Sequence, residues 1–233
     1  MINSQTTSRL QQVNNRIAKA CLQYNKAPPL LLAVSKTREV DEINNLIKAG
    51  IQDFGENYLQ EAIEKQYQLQ AQHIIWHFIG PIQSNKTRLI AEHFHWVHSV
   101  DRLKIAQRLS KQRPISMPPL QICLQINIDN EDSKSGFKVN EALNAALSIS
   151  KLPQIQLRGL MCIPKKCDDV TQQKQIFSQL SSLLQTINQQ LPSHCSALDT
   201  LSMGMSADIE AAISEGSTII RVGTALFGPR PKK

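Results

Sequence analysis

Leu30-Leu31-Leu32-Ala33-Val34-Ser35-Lys36-Thr37 is a run of five apolar residues that ends on a serine and an amine. A short, continuously apolar run reads as a strand buried on both faces, as in a parallel sheet covered by helices. Pro28 and Pro29 break the chain just before it, and residues 8–24 upstream carry helical spacing. Lys36 therefore leaves the C-terminal end of the first strand, the end at which a β/α barrel builds its site. There an amine can lose solvation, keep a neutral fraction near neutral pH and condense with an aldehyde. The plain alternative is a lysine that closes a strand and points its ammonium at water.

Outward from this strand the same alternation recurs. A helix is predicted over residues 41–49, closed by Gly50, and a strand over 51–54 that runs into Gly55-Glu56-Asn57. A helix over 58–67 and a strand over 74–78 follow, the latter closed by Ile79-Gly80-Pro81. Next come a helix over 85–93, a strand over 96–100, a helix over 102–111 and a long strand over 120–128. Behind that strand lies the polar loop Asp129-Asn130-Glu131-Asp132. Helices over 140–150, 171–190 and 207–215 then alternate with strands over 157–162, 197–202 and 218–222. Eight strands and their helices predict an α/β fold, a TIM (β/α)8 barrel with an added N-terminal helix, with residues 1–233 as one domain. An open doubly wound sheet competes, but no glycine-rich dinucleotide loop follows the first strand.

Composition narrows the partners. Apolar residues make up 41% and charged residues 19%, which is the balance of a soluble globular protein. The first ten residues hold no apolar run with a cleavage site, and the apolar runs elsewhere are too short for a bilayer, so neither secretion nor a membrane is expected. Five scattered cysteines fit a reducing compartment, and the cytoplasm is the expected location. The net charge of +7 admits weak polyanion binding. Its basic residues are spread, however, with the densest groups at Lys165-Lys166 and Lys232-Lys233, and aromatics total only 5%. No specific nucleic-acid partner is therefore expected. His73, His77, His93, His95 and His98 show no ligand spacing with a carboxylate, and no Gly-x-Ser-x-Gly elbow occurs, so neither a metal nor serine hydrolysis is predicted.

Two later segments favour an anion. Leu201-Ser202-Met203-Gly204-Met205-Ser206 leaves a strand and enters a helix, supplying hydroxyls, a glycine for close approach and helix-start amides. Ordinary capping by Ser206 is the alternative. One strand later, Gly223 and Thr224 offer the same chemistry, as expected of a phosphate site between the seventh and eighth barrel strands. Arg221 sits among Ile219, Ile220 and Val222, so its charge needs a carboxylate or a ligand. Beside a pyridine nitrogen it would disfavour ring protonation and weaken the ring as an electron sink. Asn57 can hydrogen-bond or lie against a planar ring. Met161 and Met203 could pack on such a ring or simply fill the core. His77 could face the barrel mouth or serve as a hydrogen-bonded core histidine. Lys134 and Lys138 read as a basic loop that attracts a ligand or is merely solvated.

Together these segments resemble the pyridoxal phosphate homeostasis protein family. The resemblance runs through Ala33-Val34-Ser35-Lys36, Phe54-Gly55-Glu56-Asn57-Tyr58, Trp76-His77-Phe78-Ile79-Gly80, Asn85-Lys86, Ser133-Lys134-Ser135-Gly136-Phe137, Gly159-Leu160-Met161, Leu201 to Ser206 and Arg221 to Gly228. It implies a barrel similar to the N-terminal domain of alanine racemase, holding pyridoxal 5'-phosphate as an internal aldimine on Lys36. Ser202, Gly204 and Ser206 match one phosphate-binding segment, and Gly223 and Thr224 the other. Arg221 matches the arginine near the pyridine nitrogen, and Asn57 a residue beside the ring. The racemases add a β-rich domain and a catalytic tyrosine, for which this chain has no room after Phe227-Gly228-Pro229, so no catalytic residue is assigned. The implied role is binding the cofactor for vitamin B6 and amino-acid homeostasis, as a monomer, with pyridoxal-phosphate-dependent apoenzymes as conceivable recipients. The alternative is a weak amino-acid racemase or lyase using the same ring.

Overall fold

In the computed structural model the described residues are 4–129, 131, 134–193 and 195–229. Asn130 and Asp132 of the polar loop, Ser133 and the Lys232-Lys233 pair lie outside them. Strands β1 (Leu30–Val34), β2 (Asp53–Glu56), β3 (Ile75–Phe78), β4 (Trp96–Val100), β5 (Leu120–Gln125), β6 (Ile155–Met161), β7 (Thr200–Ser202) and β8 (Ile219–Val222) pair in sequence order. They close into one parallel barrel. Closure is made by β1 on β8, with Leu32 opposite Arg221. The expected α/β barrel is the observed one.

Helices α2 (Val40–Lys48), α3 (Leu59–Gln68), α4 (Thr87–His93), α5 (Leu103–Gln112), α6 (Ala142–Ile149), α7 (Val170–Gln190) and α8 (Ile209–Ser214) follow strands β1 to β7 in turn. A one-turn α9 (Thr224–Phe227) follows β8. The added helix α1 (Ser4–Tyr24) buries Leu10, Val13, Ile17, Ala20 and Cys21 on one face. That stripe repeats every three or four residues, and the helix packs on α8 and α9. Among the described residues, no helix is long and apolar enough to cross a membrane.

Boundaries move where backbone groups find other partners. β2 starts at Asp53 rather than residue 51 because Gly50, at φ +93°, turns the end of α2 and the Ile51 amide still bonds to Leu46. β5 ends at Gln125 rather than 128. Beyond it the Asn127 amide bonds to the Phe137 carbonyl and the Phe137 amide to the Gln125 carbonyl, so the chain pairs with its own loop. β7 shrinks to three residues.

Candidate functional site

A cavity of about 330 Å³ opens at the C-terminal mouth of the barrel. Its wall is drawn from the ends of many strands: Val34 and Lys36 after β1, Asn57 after β2, Ile79 after β3, Ile163 after β6, Met205, Ser206 and Ala207 after β7, and Arg221, Gly223 and Thr224 from β8 onward. Arg38 completes it. Six of the eight residues singled out in the sequence thus meet in one place: Lys36, Asn57, Ser206, Arg221, Gly223 and Thr224.

Ser202 and Gly204 do not line it. Ser202 is fully buried, and its hydroxyl takes a hydrogen bond from Arg221 Nη1 at 2.7 Å and contacts His98 Nδ1 at 2.7 Å. Gly204 lies at φ +94°, and a Cβ there would meet Ala212 Cβ at 2.5 Å and Ile220 Cδ1 at 2.8 Å. Its carbonyl accepts from the Arg221 amide at 3.0 Å. Both residues build the floor under Arg221 rather than the wall of the cavity. Met161 and Met203 are completely buried core residues.

The seat of Lys36 is held by charges the sequence reading missed. Lys65, nearly buried on α3, donates to the Ser35 carbonyl at 2.7 Å, to Glu56 Oε1 at 2.8 Å and to Glu61 Oε1 at 2.5 Å. The Ser35 hydroxyl donates to Glu56 Oε1 at 2.6 Å, and the Thr37 amide to Glu61 Oε1 at 2.6 Å. Both neighbours of Lys36 are therefore tied to one ion cluster. Thr37 sits at φ +61°, uncommon for a β-branched residue and tolerated only where the surroundings over-determine it. Burial raises the Glu56 carboxyl above the ordinary carboxylate range, against the opposing pull of Lys65. A carboxylate at a strand exit with a lysine nine residues on was the available signal; nothing local says that the two meet.

The adjoining wall, made by the loops after β7 and β8, is braced from outside. Arg16 of α1 donates to the Ser206 carbonyl at 2.9 Å and grips Glu210 through two bonds of 2.7 Å. Arg9 donates to the Phe227 carbonyl at 2.8 Å, and Arg38 to the Gly228 carbonyl. The Ala225 amide reaches Ser206 Oγ at 3.4 Å, joining the loops after β7 and β8.

Arg221 is 4% exposed, and its guanidinium also donates to the carbonyls of Ser202 and Cys162. Burial lowers its pKa from the ordinary value, with Asp208 opposing. Cys123 and Cys162 are pushed up to about 12 by burial, so both remain thiols. His77 is a core histidine, fully buried and bonded to Asp53 and His98. Lys134 is paired with Asp129 at 2.5 Å and borders a neighbouring cavity, with Lys165 and Lys166, that shares Asn57, Ile79 and Ile163 with the first. Among the described residues no group of three or more histidine, cysteine or carboxylate side chains is placed to hold a metal.

The alanine racemase N-terminal domain family matches residues 9–231. The chain is 51% identical over 229 residues to the pyridoxal phosphate homeostasis protein of Pseudomonas aeruginosa, covering 97% of this chain and 96% of that one. With the protein of the same name from Escherichia coli K12 it shares 45% over 226 residues, 95% of each. Among solved structures, PipY of Synechococcus elongatus with PLP bound superposes with a TM-score of 0.84 at 35% identity, over 96% of this chain and 100% of that one. Alanine racemase of Clostridium difficile 630 superposes at 0.72 and 16% identity, over 97% of this chain and 58% of that one, a likeness of fold alone.

Proposed function

The chain belongs to the pyridoxal phosphate homeostasis protein family, and from that premise we propose that its barrel mouth holds pyridoxal 5'-phosphate through an imine to Lys36 and keeps it without turnover. The observation that carries this is the cavity itself. One wall bears the Lys36 amine, the floor a buried guanidinium, and the adjoining wall the hydroxyls and glycine of Ser206, Thr224 and Gly223.

The residues fit such a group. Asn57 Oδ1 is buried with no hydrogen-bond partner, a cost that a ligand donor would remove. Gly223 would let backbone approach a phosphate closely, and the hydroxyls of Ser206 and Thr224 would hold it as donors. Bound here, the cofactor supplies an aldehyde and a phosphate ester. Lys36 Nζ is the amine that would hold the group reversibly through its aldehyde carbon. Arg221 keeps its proton and so offers a fixed positive charge at the cavity floor, which would disfavour protonation of a pyridine nitrogen held beside it.

Turnover needs more. Racemisation requires an acid and a base on opposite faces of the reacting carbon. Of the described residues lining the cavity, the ionisable ones are Lys36, Arg38 and Arg221, and an arginine keeps its proton and so is a poor acid or base. This favours holding over catalysis. The reading includes a cytoplasmic location, one domain, a monomer, and release to pyridoxal-phosphate-dependent apoenzymes or to the free pool.

The test is the visible spectrum of purified protein before and after borohydride reduction, with the modified peptide mapped by mass. An imine band fixed by reduction onto Lys36, and lost in a folded Lys36→Ala variant, is expected. A normal band in that variant, or no band after added cofactor, would overturn the assignment. Exchange of an amino-acid α-proton well above the rate with free cofactor would sink the non-catalytic reading.

A further inference from the structure

The interior of this barrel is not filled by aliphatic layers alone. A file of polar side chains crosses it from the cavity floor toward the opposite mouth: Arg221 on β8, Ser202 on β7, His98 on β4, His77 on β3 and Asp53 at the start of β2. The links are 2.7 Å from Arg221 Nη1 to Ser202 Oγ, 2.7 Å from Ser202 Oγ to His98 Nδ1, 2.9 Å from His98 Nε2 to His77 Nδ1, and 3.0 Å from His77 Nε2 to Asp53 Oδ1. Ser202, His98 and His77 are completely buried, while the Asp53 side chain keeps 15% of its exposure.

Donor and acceptor counting allows one proton order. A guanidinium only donates and a carboxylate only accepts, so with both rings neutral Ser202 Oγ accepts from Arg221 and gives its single hydrogen to His98 Nδ1. His98 then carries its proton on Nε2 and donates to His77 Nδ1, and His77 carries its own on Nε2 and donates to the Asp53 carboxylate. Reversing either ring would set two N–H groups, or a bare nitrogen and a carboxylate oxygen, against each other inside the protein. Burial disfavours protonating either imidazole, and Trp96 stacks on His77 at 5.6 Å with planes 9° apart, fixing that ring. The file cannot conduct protons, because one end is a guanidinium that does not release one. It is a polarised chain with a cation at one end and a carboxylate at the other.

We propose that Asp53, His77, His98 and Ser202 form a positioning relay for Arg221, fixing the plane of its guanidinium beneath the cavity and coupling its charge to a carboxylate at the far side of the barrel. The relay itself stands apart from the proposed cofactor role; only its effect on a bound ring rests on that role. The relay solves a problem visible in the sequence, a lone arginine in an apolar strand, without adding a carboxylate to the cavity lining; Asp208, which also pulls on Arg221, lies outside that lining. A direct carboxylate there would neutralise the field that Arg221 presents, whereas one removed by three hydrogen-bonded side chains steers the guanidinium and leaves most of that field in place.

The experiment uses 15N-labelled full-length protein stripped of cofactor, with long-range proton–nitrogen correlations of the imidazoles. His77 and His98 are expected as neutral Nε2–H tautomers. Asp53→Asn, which keeps an acceptor at that position, is expected to shift the ring nitrogens of His98 although the two residues do not touch. A His77 or His98 protonated on Nδ1, or a His98 indifferent to Asp53→Asn, would overturn the relay. Pyridoxal 5'-phosphate is then titrated. Ser202→Ala should weaken binding roughly tenfold with the imine band displaced, and Ser202→Thr should restore both. Unchanged affinity and band position in folded Ser202→Ala would overturn the positioning role. If wild-type protein binds no cofactor, the cofactor reading fails by itself, and the tautomers still decide the relay.

Discussion

At Gly80 the exit of the third strand passes so close to Asn57 that a Cβ would lie 2.2 Å from the Asn57 carbonyl oxygen. Backbone cannot yield there without moving Asn57, whose side-chain oxygen is the unpartnered acceptor of the cavity. Gly80→Ala is therefore expected to weaken cofactor binding more than it lowers stability. Absorbance titration beside a thermal melt would check this; a lowered melting temperature with unaltered affinity would contradict it. At this scale the lining of the cavity was largely legible. Lys36, Asn57, Ser206, Gly223 and Thr224 stand at strand exits, and a strand exit is a local pattern. Ser202 was not, because whether its hydroxyl points to a ligand or to Arg221 depends on the neighbouring strand.

Among elements, α1 is the one the barrel does not require, yet it braces the loop after β7 through Arg16 and the one after β8 through Arg9. The Arg16–Glu210 pair is more than a third exposed on both sides, so water screens it and its share of stability is below about 1 kcal/mol. Arg16→Ala should lower the melting temperature by at most about 2–4 °C. Loss of the bond to the Ser206 carbonyl should nevertheless weaken cofactor affinity roughly two- to tenfold, as equilibrium titration would read. An unaltered affinity would mean that Ser206 keeps its place without α1. The helix itself was evident from its apolar spacing. Its docking face was not, since Arg16 and Glu210 lie 194 residues apart. The overextended reading of β5 has the same origin: Ile126 and Ile128 continue the apolar run, and the Ile126 amide still bonds to Met161, but the returning loop at Phe137 takes the Asn127 amide and the Gln125 carbonyl.

For the whole molecule, the buried histidines tie stability to pH. Burial holds His77 and His98 below the ordinary value of 6.5, and His95 is pushed the same way. The unfolded chain protonates them near that value, so below it the unfolded state binds more protons than the folded one. Stability is then full above about pH 6.5 and declines as pH falls toward the folded pKa values, by up to roughly 1.4 kcal/mol per unit for each histidine. Urea unfolding at about pH 7.5, 6 and 5 would show the decline, and His98→Gln should make it shallower. A flat profile would mean that the rings protonate in place.

Eight short apolar strands, their intervening helices and a lysine at the first strand exit were settled by the chain itself, because burial on both faces of a parallel sheet leaves a contiguous apolar signature in sequence. What filled the barrel was decided only by closure. Glu56 with Lys65, Arg16 with Ser206, and the file from Asp53 to Arg221 each join groups on different elements. A buried polar group leaves no periodic mark of its partner; the partner is chosen when the strands curl round and bring donor to acceptor.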